Sequence, residues 1–172
     1  MENLIISLTV FWLYFIYTVY RFGVLSSISA TVDKLKSPIL FSMFEWGISI
    51  PIIYYAYNND MFLLAISGLL IMGVGFFPAL KKTKTKKQEA LHVFCATVGI
   101  FLAYAGLAIE SIEWKLFYKS MFFWALILYL ILFVAYIPIN GIKKGLKNHT
   151  TWIEFYAFNI IILTLIMYER FN

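Results

Sequence analysis

A chain of 172 residues that is 62% hydrophobic, 20% aromatic and only 13% charged, with a mean hydropathy of +0.83, excludes a water-soluble fold, because soluble domains carry about 25% charged residues. The net charge of +5 is confined to short segments between apolar runs. That pattern sets orientation in a bilayer and attracts anionic headgroups, and it argues against nucleic acid as a partner. One cysteine, Cys95, within an apolar run, excludes a disulfide framework and a thiolate metal cluster.

A helical span needs about 20 mainly apolar residues. Six runs meet or approach this, at 3–20, 38–57, 61–80, 89–109, 117–138 and 151–168. Met1 to Tyr20 has no basic leader and no small-residue cleavage site, so it reads as the first span. Short gaps between the runs predict one domain of sequential up-down helices. The expected fold is all-α: a polytopic membrane protein with six transmembrane helices in an up-down bundle, both termini outside.

The orientation comes from the basic residues. Loop one (21–37) holds Arg21, Lys34 and Lys36. Loop three (KKTKTKKQ) holds Lys81, Lys82, Lys84, Lys86 and Lys87, and loop five holds Lys143, Lys144 and Lys147. Only Lys115, Lys119 and Arg170 fall on the other side, beside Glu2, Asp60, Glu110, Glu113 and Glu169. The positive-inside rule puts loops one, three and five in the cytoplasm and the protein in the cytoplasmic membrane as a multi-pass chain. The five lysines of loop three form an inner-leaflet segment facing anionic lipids. Tyr17, Tyr20, Tyr54, Tyr55, Tyr57, Trp114, Tyr118 and Trp152 lie where interfacial aromatic anchors belong.

Spans three and four carry stripes of small residues. Ala65, Gly68, Met72, Gly75 and Ala79 recur at helical spacing, as do His92, Ala96, Gly99, Ala103, Gly106 and Glu110. Small residues on one face let helix backbones approach closely. Span five is bulky all round and reads as lipid-facing, and a homo-oligomer is an expected partner state.

The candidate site follows from the few polar groups. Glu45, beside Trp46 in SPILFSMFEWGISIP, lies well inside span two, where a charged carboxylate costs about 2.5–3.5 kcal/mol. Spans two, four and six all start at the cytoplasmic face, and each carries an ionisable group early: Glu45, His92 and Glu154. At about 1.5 Å per residue Glu45 lies roughly 10 Å deep, and the others about one turn. Arg21 ends span one at the same level, Tyr14 and Thr18 share its helix face, and Ser42 and Ser49 share that of Glu45. These residues, with Ser29 in the SSISATVD segment as part of a lid, predict a cytoplasmic-side polar pocket. Simpler roles are open to each. Thr151-Trp-Ile-Glu154 fits a capping box, Arg21 fits a snorkelling anchor, and Glu45 fits a helix-locking carboxyl group. Ser37-Pro38 reads as a helix start, and Pro51 removes a backbone bond one turn from Glu45.

Loop one and span two, followed by the Gly-rich third span and ALHVFCATVGI, resemble small uncharacterised six-span integral membrane proteins of bacteria and bacteriophages. The resemblance covers about residues 20–115. It rests on an Ile-Ser motif after span one (Ser27, Ile28, Ser29), Trp-Gly in span two (Trp46, Gly47) and a His opening span four (His92). It implies a six-span fold and no activity, and Glu45 stands where a small or thiol residue is expected. A more distant likeness to ceramidase-like membrane hydrolases fails at the missing paired histidines.

The functional expectation is a membrane protein without a catalytic site or cofactor, binding a lipid headgroup, small ligand or protein partner at Glu45, His92, Glu154, Arg21, Ser29 and Trp46. A transporter or proton-coupled channel using Glu45 and His92 is the alternative, needing a polar path outward through Ser49. A metal-dependent hydrolase, or a Ser27 or Ser29 nucleophile served by His92, has no supporting motif.

Overall fold

The computed structural model describes residues 1–35, 37–77, 85–112, 119–128, 131 and 149–171. These form α1 (Glu2–Phe22), α2 (Thr31–Leu35), α3 (Pro38–Asn58), α4 (Phe62–Phe76), α5 (Lys86–Glu110) and α7 (His149–Phe171), with α6 (Lys119–Leu128) before the last. No strand occurs among the described residues.

Local chemistry sets the helix ends. Gly23 closes α1 in a left-handed conformation (φ 73°), with its N–H bonded to the Val19 carbonyl, a geometry that glycine adopts without a Cβ penalty. Asp60, at φ 56°, turns the chain sharply between α3 and α4. Ser37 precedes Pro38 at the start of α3 as anticipated, although its side chain makes no capping bond. Helix α5 starts at Lys86, three residues before the expected 89. Thr85 accepts from the Gln88 N–H while the Gln88 side chain accepts from the Thr85 N–H, so the Thr-Lys-Lys-Gln run is a capping box and part of the helix.

Four helices are long and apolar enough to cross a membrane: Glu2–Phe22, Pro38–Asn58, Lys86–Glu110 and Thr151–Arg170. α4 and α6 are apolar but shorter, and the remaining parts of expected spans three and five lie outside the described residues. So do Lys81, Lys82, Lys84, Ala79, Trp114, Tyr118 and the lysines of loop five.

The helices pack as a ring. α3 lies against α1 and α4, α4 against α5, and α7 touches both α1 and α5. Small residues make the close contacts. A Cβ on Gly68 would meet Ile53 Cγ1 at 2.5 Å, one on Gly75 would meet Trp46 Nε1 at 2.9 Å, and one on Gly99 would meet Ile71 Cδ1 at 2.9 Å. With no hydrophobic drive between helices in lipid, such backbone approach supplies the packing energy. α1 and α7 join through aromatic rings instead, with Phe15–Phe155 centroids at 4.5 Å and Phe11–Phe158 at 5.4 Å. Phe123, Trp124 and Leu128 of α6 are exposed, as is Ile131 beyond it, whereas Phe122 is buried in the core, so one side of this stretch packs inward.

Pro51 lies inside α3 and cannot donate to the ladder. One turn away, Ser7 of α1 donates its hydroxyl to the Ile48 carbonyl at 2.7 Å, tying the interrupted stretch to its neighbour.

Candidate functional site

Four helices and the segment before α2 converge on one small cavity. It is lined by Glu45 of α3, Ile71 and Val74 of α4, His92, Ala96 and Ile100 of α5, Glu154 and Phe158 of α7, and Ile28 and Ser29. Its volume is about 40 Å³. Three of the six residues expected at the site, Glu45, His92 and Glu154, are therefore neighbours, and Ser29 joins them.

Each is held differently. Glu45 is 4% exposed, and its Oε2 has no hydrogen-bond partner among the described residues. It sits beyond the first turn of α3, where backbone N–H groups are already used within the helix. His92 Nδ1 donates to the Phe77 carbonyl at 3.0 Å, which closes the end of α4 and makes Nε2 the basic position of the neutral ring. Its ring lies alongside that of Phe41, centroids 6.4 Å apart.

Glu154 corrects the capping reading. α7 begins at His149, ahead of Thr151, so neither Thr151 nor Glu154 caps it as a box would. The Ile28 N–H donates to Glu154 Oε2 at 2.5 Å, and the Thr151 hydroxyl donates to the Leu25 carbonyl at 2.6 Å. The physical reason is that the irregular 23–30 segment folds into the bundle, and its buried backbone groups need partners. α7 supplies them.

The same segment is fastened from α1, where the Tyr14 hydroxyl bonds Thr31 and the Tyr14 ring stacks on Phe44 at 3.8 Å. Ser27 and Ser29 hydroxyls bond each other at 3.0 Å. The short helix α2 was not anticipated, because five residues are too few to display a hydrophobic period.

Arg21 and Trp46 are placed elsewhere. Arg21 is exposed on the last turn of α1, its guanidinium 5.8 Å from the Phe22 ring centroid, and does not line the cavity. Its face is shared with Tyr14 and Thr18, but it lies a turn closer to the helix end than the buried Thr18. Trp46 points about 100° away from Glu45 around α3. Its indole donates to the Met72 carbonyl at 3.3 Å and packs on Phe76 at 4.9 Å, which locks α3 to α4.

A second cavity, of about 20 Å³, adjoins the first and includes Ser49 and Ser67 in its lining. Ser67 donates to the Gly99 carbonyl at 2.7 Å. Ser67 escaped sequence reading, although its place beside Gly68 on the close-packed face was a usable sign. At the loop-one end a third space, about 10 Å³, touches Thr18, Ser27, Ile28, Thr31 and Thr151.

Among the described residues no group of three or more His, Cys, Asp and Glu is arranged to hold a metal ion. Glu45 and Glu154 line the same cavity, and no lysine or arginine pairs with either among the described residues. Chemically, two carboxyl groups and an imidazole on one cavity can each bind and release a proton. Comparison with protein-family models, curated proteins and solved structures finds no match to this chain.

Proposed function

We propose that this protein is a proton-conducting or proton-coupled transport protein of the cytoplasmic membrane, with Glu45, His92 and Glu154 as its proton-binding groups. The observation that carries this reading is the shared cavity of about 40 Å³. A water needs roughly 10–15 Å³ of such space, whereas pockets for organic ligands measure about 300–1,000 Å³. Protons and a few waters fit, and a lipid headgroup does not. Ionisable residues kept inside a membrane bundle commonly serve as proton relays.

In this reading the chain spans six times. Loop one faces the cytoplasm and both termini face outside. Lys86 and Lys87, exposed at the start of α5 beside exposed Val93 and Phe94, meet anionic lipids together with Lys81, Lys82 and Lys84. The test is purified protein in liposomes containing a pH-sensitive dye, with a potassium diffusion potential imposed. The expected result is proton flux above that of empty liposomes, reduced about tenfold or more by Glu45→Gln. Flux equal to that of empty liposomes, or unchanged by Glu45→Gln, overturns the reading.

A second reading, binding of a headgroup, small ligand or protein partner, is favoured by the lid. The segment over the cavity is held to α7 by the Glu154–Ile28 and Thr151–Leu25 bonds, and lifting it would widen the space. A headgroup-bearing lipid that copurifies with the protein and is lost in Glu154→Ala would select this reading.

A further inference from the structure

From the geometry we infer that the proton path from Glu45 continues one helical turn deeper into the bundle, to a second hydrated station between Ser49 and Ser67, across a dry constriction formed by Ile71, Ile100 and Phe158. This rests on the proton reading above and deepens it.

The two cavities share three residues, Ile71, Ile100 and Phe158, one from each of α4, α5 and α7. Every helix around them advances by about one turn between the first space and the second. On α3 the step is from Glu45 to Ser49, about 6 Å along the axis.

The independent observation is Ser49 itself. Its side chain is 0% exposed, it lines the second cavity, and its Oγ has no hydrogen-bond partner among the described residues. A serine in mid-helix ordinarily bonds the carbonyl four residues back. Ser42 and Thr18 do so here, at 3.0 and 2.9 Å, and Ser49 does not. A buried hydroxyl is seldom left without a partner. The adjoining space of about 20 Å³ has room for one water. That water would bridge Ser49 Oγ and Ser67 Oγ, whose hydrogen is already given to Gly99 and whose lone pairs remain to accept.

The chemistry balances without any co-reactant. A proton leaves the Glu45 carboxyl group for a water oxygen, and that water releases one of its own protons to the next oxygen. Each relay oxygen is neutral again once it has passed a proton on. Glu45, left as a carboxylate, takes its next proton from the loop-one side through Glu154 or His92 of the same cavity. Rotation of the hydroxyls and waters restores the starting hydrogen-bond orientation. The constriction sets when this happens, because three apolar side chains break the water file until they part.

The test uses silver ion, a small thiol-reactive cation that travels where water does. Ser49→Cys and Ser67→Cys are made separately in a Cys95→Ala background, with Ile162→Cys, fully buried and outside either cavity, as the dry reference. Variants that remain monodisperse in detergent are reconstituted and exposed to silver from one face at a time. The expected result is reaction of both serine-site thiols, from the loop-one face, at least about tenfold faster than Ile162→Cys, a margin that a water-filled and a dry site should show. Rates equal to the reference at both positions, or access only from the opposite face, overturn the inference. Measuring proton flux on Glu45→Gln in parallel separates the two readings. Thiol access with no Glu45-dependent flux removes the transport reading, and Glu45-dependent flux without thiol access removes this second station alone.

Discussion

Two serines of the bundle are both fully buried, Ser7 and Ser49, yet their hydroxyls stand in opposite circumstances. Ser7 donates across to α3 at the Ile48 carbonyl, beside the proline that interrupts that helix. Ser49 has no protein partner among the described residues. Removing a made hydrogen bond costs about 0.5–1.5 kcal/mol, whereas deleting an unmade one costs little. Ser7→Ala should therefore lower the thermal unfolding midpoint in detergent, by an amount equivalent to about 1 kcal/mol. Ser49→Ala should leave the midpoint unchanged. A matching loss in both variants would mean that Ser49 has a structural partner. Glu45 follows the same logic with greater consequence, since its unbonded oxygen sits where a carboxylate is costly to hold charged. A group so placed does not contribute stability by pairing.

At the scale of helices, the close approach of α3 and α4 is set by glycine. Gly68 faces Ile53, and the contact that a Cβ would make is with Cγ1, close to the backbone, so it cannot be relieved by swinging a side-chain tip. Gly99 of α5 meets α4 less tightly, first at the movable Cδ1 end of Ile71 (2.9 Å) and then at Ile71 Cγ1 (3.1 Å) and Leu70 Cβ (3.3 Å). Gly68→Ala should destabilise by about 1–3 kcal/mol, as overpacked sites do, and Gly99→Ala by less. Adding Ile53→Ala should restore part of the Gly68→Ala loss in chemical unfolding. Equal effects of the two glycine variants would show that the α3–α4 contact is looser than these distances imply. The same scale explains what the residues disclosed in advance. Glu45, His92 and Glu154 could be grouped from the chain alone because ionisable groups are rare in these runs, and each stands a short distance from the start of its helix. Arg21 and Trp46, expected at the same site, do not line the cavity, because which way a side chain leaves its helix depends on the neighbours. Trp46 follows Glu45 directly and still serves another interface. Thr151 and Glu154 obey a capping pattern, but the helix extends past them and their bonds go to segment 23–30.

For the whole molecule, hydropathy and charge decide more than any motif. The ends of α1 and α3 fall within about two residues of the anticipated spans, and those runs are bounded by Gly23, Pro38 and the Asn59-Asp60 turn. α5 starts three residues ahead of its apolar run because its first turn carries lysines, held in helix by the Thr85–Gln88 box. The ring order of helices was not legible, since small-residue stripes mark a contact face without naming its partner. Orientation is testable directly. In the Cys95→Ala background, single cysteines at Ser26 and Thr85 should react with a membrane-impermeant maleimide only from the cytoplasmic side, and one at Asn59 only from outside. Labelling of Asn59 and Ser26 from the same side would rule out α3 as a span and invert the reading of the site.

The aromatic seam between α1 and α7 has a consequence for how the protein is made. α7 comes latest in chain order and brings Glu154, Thr151 and the rings that face Phe11 and Phe15. During synthesis, helices α1 to α5 can enter the bilayer and pack while Glu45 still lacks the carboxyl group opposite it and segment 23–30 lacks its tether. The ring closes only when α7 slots between the first helix and the fifth. A ribosome that stops short of it leaves a bundle with an open side, so the polar centre is the part of the protein that is born last.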